Sequence, residues 1–192
     1  MKKLLITGFD PFNGRTENPS WLAVSALPDT VGNYCLHKCN IPTLYRTAAQ
    51  TVLALAEEIR PDVILCVGLA QGRDAVTPER IAVNIRSARI PDNGGIQFNG
   101  EKVCEDGPAA YFSTLPVEKM AQAIRDRRIP AAVSNTAGTY VCNDVMYTLL
   151  HRFAGTATRV GFIHVPQLPE QGDPNLPLEQ TIRALTAAIE AL

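Results

Sequence analysis

Val63-Ile64-Leu65-Cys66-Val67-Gly68 is an unbroken apolar run that stops on a glycine. A short run of this kind reads as a strand covered on both faces, the central strand of an α/β sheet. Working outward, comparable runs occur at Leu4 to Thr7 and at Val160 to His164. Tyr34 to Asn40 suits an edge strand, and Ile81 to Ile85 and Ala131 to Ser134 are further candidates. Helical patterns alternate with these strands. Leu44, Ala48, Val52, Leu55 and Ile59 share one face at helical spacing, and so do Val117, Met120, Ala121 and Ile124. Val145, Leu149 and Phe153 repeat the pattern, as do Leu178, Ile182, Leu185, Ile189 and Leu192. Asn18 before Pro19 reads as an N-cap with proline in the first helical position. The expected fold is α/β: a single domain over residues 1–192, built on an open, twisted, mixed sheet with helices on both faces, of the phosphorylase/hydrolase type.

Net charge is −1 over 192 residues and no basic block stands out, so the electrostatic footprint of a nucleic-acid binder is missing. No apolar stretch reaches the roughly 20 residues that span a bilayer. Lys2 and Lys3 precede an apolar run, but Asp10 and Pro11 interrupt it too early for a signal peptide. The five cysteines are therefore expected to be reduced thiols in a cytoplasmic protein.

Four connections are long and rich in turn residues: Gly8 to Asn18, Gly68 to Pro78, Ser87 to Pro108 and Val165 to Pro177. Long loops in a compact domain are usually functional. Three of them directly follow expected strands, and ligands of open α/β sheets bind beyond the carboxyl ends of the strands.

Cys142 sits where a turn-rich segment, Ser134 to Val141, gives way to a helix. Free N–H groups and the positive dipole end there favour a thiolate and can hold an oxyanion. A small buried cysteine is the competing reading. His164 ends a strand before Val165-Pro166 and would project toward the ligand face, where an imidazole suits a general base. A hydrogen-bonded structural histidine fits that position slightly better on placement alone. His37 lies in a strand with no adjoining loop of interest, and His151 lies late in a helix, where the dipole alone accounts for it. Cys35, His37 and Cys39 would share a strand face, yet no further ligand at zinc spacing accompanies them, so no metal is expected. Cys35 and Cys39 would also lie about 13 Å apart in an extended strand, too far for a disulfide. Cys66 reads as core, and Cys104 as a loop thiol without a visible partner. Glu79 beside a buried strand can orient a histidine. Sequence proximity alone favours a surface pair with Arg73 or Arg80. Phe9 and Phe12, in a glycine-bounded loop, can wall an apolar pocket or plug the end of the sheet.

Taken together, several blocks carry a resemblance. They are Leu5-Ile6-Thr7-Gly8-Phe9-Asp10-Pro11-Phe12, Asn18-Pro19-Ser20-Trp21, Thr77-Pro78-Glu79-Arg80-Ile81-Ala82-Val83-Asn84 and Ala88-Arg89-Ile90-Pro91-Asp92-Asn93. Gly107-Pro108-Ala109-Ala110-Tyr111, Thr136-Ala137-Gly138-Thr139-Tyr140-Val141-Cys142-Asn143, Phe162-Ile163-His164-Val165-Pro166 and Leu168-Pro169-Glu170-Gln171 follow. In this order they resemble the pyrrolidone-carboxylate peptidases, or type I pyroglutamyl peptidases, across nearly the whole chain. The resemblance implies a catalytic triad of Cys142, His164 and Glu79. It implies a pyroglutamyl pocket lined by Phe9 and Phe12 with Tyr140 and Val141 nearby, Leu69 holding the lactam through its main chain, and Arg89 near the active centre. It further implies a cytosolic, cofactor-free enzyme acting on peptides with N-terminal pyroglutamate, assembled as a homo-oligomer, often a tetramer. Leu69 and Gln71 replace the glutamine and a glycine of the family's Gly-Gln-Ala-Gly-Gly run, and Gln167 stands where an aromatic or apolar residue is usual.

The expected reaction is acyl transfer through a thioester: a cysteine-dependent exopeptidase that releases the pyroglutamyl (5-oxoprolyl) residue. The rival reading is a lactam or peptide-terminus binding protein, weakened as a catalyst by the changes at Leu69 and Gln71. An amidase for another cyclic ligand is a third possibility on the same fold.

Overall fold

The computed structural model describes residues 1–192. Its elements, in chain order, are β1 (Lys2–Phe9), α1 (Pro19–Ser25), β2 (Thr30–Val31), β3 (Tyr34–Ile41), α2 (Thr47–Ile59) and β4 (Val63–Leu69). Then come β5 (Thr77–Pro78), β6 (Ile81–Val83), β7 (Arg86–Ser87), β8 (Asn99–Glu101) and β9 (Ala110–Phe112). The chain closes with α3 (Val117–Asp126), α4 (Val141–Arg152), β10 (Arg159–Val165) and α5 (Leu178–Glu190). The main sheet has the order β2-β3-β1-β4-β10-β5. β3, β1, β4 and β10 run parallel, and β2 and β5 are antiparallel edges. This is the mixed α/β sheet that the sequence predicts. No helix is long and apolar enough to cross a membrane.

Side-chain alternation along the central strands divides the core in two. Leu4, Ile6, Val63, Leu65, Val67, Ile163 and Val165 face one side, where they meet α1, α3 and α5. Leu5, Ile64, Cys66, Val160 and Phe162 face the other, with α2 and α4. The period is 2, so His164 falls on the same side as Phe162. That side carries α4, the helix that begins at Val141 and holds Cys142.

Three local expectations change in the structure. Ile81–Val83 is a strand, but it pairs with β9 in a small separate sheet. Ala131 to Ser134 is not a continuous strand. It makes only isolated parallel bridges, Val76↔Ala131 and Glu79↔Ser134. Val76 N donates to Pro130 O, Ala132 N to Val76 O, Ser134 N to Pro78 O and Arg80 N to Ser134 O. The bond missing from this ladder is the one residue 78 would donate, and Pro78 has no N–H. Finally, α2 starts after Leu44. Tertiary acceptors capture the amides before it, Thr43 N by Asp10 Oδ1 (2.7 Å), Tyr45 N by Asp92 Oδ2 (2.9 Å) and Arg46 N by Asp144 Oδ2 (2.9 Å). Arg46 itself takes a φ of 64°, outside the helical range. The N-cap at Asn18 is as the sequence predicts: its side chain accepts from Ser20 N at 3.1 Å, with Pro19 opening the helix.

Candidate active site

The site is assembled at the carboxyl end of the parallel strands. His164 lies in β10, next to Gly68 of β4 on one side and Thr77 of β5 on the other. β5 is antiparallel to β10, and Glu79 N donates to Phe162 O at 2.9 Å just beyond it. Glu79 is therefore the diagonal neighbour of His164 on one face, a position within reach of a long side chain. His164 Nδ1 and Glu79 Oε1 are 2.7 Å apart, and both side chains are buried. The spacing Thr77-Pro78-Glu79 thus converts a strand pairing into an imidazole–carboxylate pair.

Arg73 completes this pair from the loop after β4. Its Nη1 donates to Glu79 Oε1 and to Thr77 Oγ1, each at 2.5 Å, and its Nη2 donates to Thr136 O at 2.9 Å. The expected Arg73–Glu79 pairing therefore exists, but on a fully buried carboxylate that also faces His164. Arg80, the other candidate, pairs with Glu118 instead. Burial pushes the Glu79 carboxyl up, yet the hydrogen bond and charge of His164, with the Arg73 charge, outweigh it and leave it below the usual carboxylate value. The Ser134 hydroxyl donates to Thr136 O at 3.0 Å in this geometry, which leaves Glu79 Oε2 without a partner.

Cys142 enters from above the sheet. A Cβ added to Gly68 would lie 2.9 Å from Cys142 Sγ and 2.9 Å from the Phe162 ring. Gly68 is the lateral neighbour of His164, so the thiol hangs over the strand next to the one that carries His164. Only a glycine leaves room for it there. Phe162 packs under the His164 ring, with centroids 4.7 Å apart. The start of α4 is fixed by the residues that follow the thiol. Asn143 accepts from Val83 N (2.9 Å) and donates to Val83 O (2.8 Å). Asp144 forms a buried ion pair with Arg86 at 2.6 Å. No side chain caps the helix, so its first N–H groups remain open beside the thiol.

The thiol is not poised as an anion. Burial and, next, the Glu79 charge push the Cys142 thiol up to about 12, against the expectation drawn from the helix end. Desolvation outweighs the dipole here.

Phe9, Phe12, Asn18, Thr43, Leu69, Tyr140 and Cys142 line a narrow, mostly apolar cleft. Phe12 and Tyr140 rings lie 6.1 Å apart across it. Tyr140 is held by donation to Pro91 O at 2.9 Å and by edge packing on Tyr45. Four of the expected pocket residues, Phe9, Phe12, Leu69 and Tyr140, are thus placed together beside the thiol. Val141 is not on the wall: as the first residue of α4 it points into the core and is fully buried. Arg89 is exposed on the long 87–108 connection and makes no hydrogen bond or ion pair. Gln167 is buried, with its side-chain oxygen accepting from Arg15 at 3.2 Å, which accounts for a polar residue in that place. Asn18 and Arg73 carried no sequence signal for this site beyond a cap and a nearby charge, and Thr43 carried none.

A thiol, an imidazole and a buried carboxylate at the carboxyl edge of a mixed, largely parallel sheet define a cysteine hydrolase of the α/β class. Comparison with known proteins narrows this. The sequence pattern described as pyroglutamyl peptidase matches residues 2–192. The pyrrolidone-carboxylate peptidase of Levilactobacillus brevis is 50% identical over 99% of this chain and 97% of its own length. That of Thermococcus onnurineus is 44% identical over 98% and 97%. Among solved structures, pyroglutamyl peptidase I of Bacillus amyloliquefaciens superposes with a TM-score of 0.96 at 42% identity, covering 100% of this chain and 96% of that one. Pyrrolidone carboxyl peptidase of Thermococcus litoralis gives 0.95 at 40% identity, covering 100% and 93%. The chain belongs to the pyroglutamyl peptidase family.

Proposed function

We propose that this protein hydrolyses the N-terminal pyroglutamyl residue from peptides, with Cys142 as nucleophile, His164 as general base and acid, and Glu79 as the group that orients the imidazole. The observation that carries the reading is the Cys142 sulfur seated over Gly68, beside a buried His164–Glu79 pair. Glu79 as a carboxylate accepts from Nδ1–H, which leaves the Nε2 lone pair for the thiol proton. The thiol is neutral at rest, so proton transfer to His164 accompanies attack on the pyroglutamyl carbonyl. The resulting imidazolium is stabilised by Glu79. Open N–H groups at the start of α4 receive the oxyanion. The tetrahedral intermediate collapses as His164 protonates the leaving amine, and water, deprotonated by the same ring, hydrolyses the thioester.

The cleft suits the substrate. Pyroglutamate is a small neutral lactam without a charged α-amine, and Phe9, Phe12 and Tyr140 offer aromatic walls for its ring. Main-chain groups at Leu69 can pair with the lactam whatever the side chain there. A cytoplasmic location, suited to five free thiols, and assembly into a homo-oligomer belong to the same reading through the family resemblance. The presence of Cys142, His164 and Glu79 together in this chain supports the peptidase reading over the rival binding-protein one.

The test compares a pyroglutamyl fluorogenic amide with its prolyl analogue. A site that pairs the lactam carbonyl should reject proline by about 10⁴-fold in kcat/KM. Comparable turnover of the two would overturn the specificity.

A further inference from the structure

At the far end of helix α4, the imidazole of His151 meets a thiol from the loop after β8. His151, in the last turn, lies with Nε2 3.4 Å from Cys104 Sγ. Its Nδ1 is 2.9 Å from the Tyr111 hydroxyl oxygen. Tyr147, one turn earlier, stacks on the imidazole at an interplanar angle of 9°, and its own hydroxyl is taken up by Pro108 O at 2.7 Å. Cys104 is half-buried and His151 exposed, so solvent reaches the pair. None of these four residues has a part in the chemistry at Cys142, which lies about 14 Å away along the helix axis.

The arrangement has the parts that activate a thiol. When the Cys104 proton moves to Nε2, both ring nitrogens carry hydrogen. Nε2–H then donates to the thiolate and Nδ1–H to the Tyr111 oxygen, so neither charge is left without a partner. The negative end of the α4 dipole favours the imidazolium. Cys104 itself is held from both sides of its peptide: its N–H donates to Asn84 Oδ1 at 2.9 Å and its carbonyl accepts from Asn84 Nδ2 at 2.7 Å. The sulfur is thereby presented to the ring by a fixed loop.

We propose that Cys104 is a second reactive thiol, activated by His151 and Tyr111, and a site of oxidation by hydrogen peroxide. The thiolate attacks one peroxide oxygen; the S–O bond forms as the O–O bond breaks. Sulfur loses two electrons, the peroxide gains them, and the departing hydroxide takes the proton from His151 and leaves as water. The product is a sulfenic acid at Cys104. With a low-molecular-weight thiol present, it condenses to a mixed disulfide and releases a second water.

The test uses the full chain with Cys142→Ser, so that the thiol in the cleft is silent and no peptide cleavage is involved. The protein is treated with dilute hydrogen peroxide and the sulfenic-acid trap dimedone, and adducts are mapped by peptide mass spectrometry. Cys104 is expected to be labelled about tenfold faster than Cys35 and Cys39, the other half-buried thiols outside the cleft. Adding His151→Gln, an exposed substitution, should slow Cys104 labelling about tenfold. Tyr111→Phe should slow it less. Equal labelling of Cys104, Cys35 and Cys39, or an unchanged Cys104 rate in a folded His151→Gln protein, would overturn the proposal.

Discussion

Arg73 and His164 meet on a single oxygen atom, Glu79 Oε1, at 2.5 and 2.7 Å. Arg73 also reaches Thr136 O, in the segment that leads into the Cys142 helix. One guanidinium thus ties the loop after β4, the buried carboxylate and the approach to the thiol. Arg73 does not line the cleft. Arg73→Gln should therefore lower kcat about tenfold with KM nearly unchanged, and should cost about 1.5–3 kcal/mol of stability through lost bonds to a charged group. Arg73→Lys should recover part of kcat. Steady-state kinetics and denaturant unfolding measure both; a change confined to KM would remove Arg73 from this role.

Cys142→Ser should abolish turnover, by about 10⁴-fold or more, while Cys66→Ser and Cys104→Ser leave it within a few-fold. Glu79→Gln should lose about two orders of magnitude less than His164→Ala, because a carboxylate that orients the ring can be partly replaced. If the two losses are equal, Glu79 does more than orient.

Alkylation separates an isolated thiol from a coupled one. Burial holds the Cys142 thiol at about 12, so on its own it is almost wholly neutral near pH 7. In the wild type, His164 takes the proton as the sulfur reacts. In His164→Ala that route is gone, and iodoacetamide modification of Cys142 should slow by at least about tenfold at pH 7. It should then climb steadily with pH through about pH 10 without a plateau. An unchanged rate in the variant would mean that the imidazole does not serve the thiol.

Gly68 is a steric requirement of the site. Gly68→Ala would bring a methyl within 2.9 Å of both Cys142 Sγ and Phe162, whose ring packs under His164. One of the two must shift. Overpacking of this kind costs about 1–3 kcal/mol. Activity should fall at least about tenfold, since reacting groups tolerate little displacement. Wild-type turnover by a folded Gly68→Ala enzyme would show that the thiol does not react from this position.

Acid should weaken the fold through Glu79. Its carboxyl is held below the ordinary value, so it adds stability above its unfolded value, and that stability is lost as pH falls through the lowered one. Between about pH 5 and pH 3 the wild type should lose more unfolding free energy than Glu79→Gln. Urea titrations at several pH values read the difference directly. Parallel losses in the two proteins would place the acid sensitivity elsewhere.

The helix faces, the central strands and the Asn18 cap were legible because periodicity and capping are local. The positions of Cys142 and His164, one at a helix start and the other at a strand end, were legible for the same reason. Pairing was not. Sequence cannot tell that β5 runs antiparallel to β10, and that pairing alone makes Glu79 a buried partner of His164 and not a surface carboxylate. Nor does it tell that Pro78 withholds one N–H and splits the 131–134 ladder. Val141 was expected beside the pocket because the family resemblance implies it. A helix turns successive side chains about 100° apart, and this one faces the core. His151 had a sufficient explanation in its helix end, and Cys104 had no partner, until the loop after β8 brought them to 3.4 Å. The sequence by itself determined the central strands, the helix faces and the family; the tertiary structure decided the smaller strands and which charges meet, because those are set by strand register and loop packing between residues far apart in the chain.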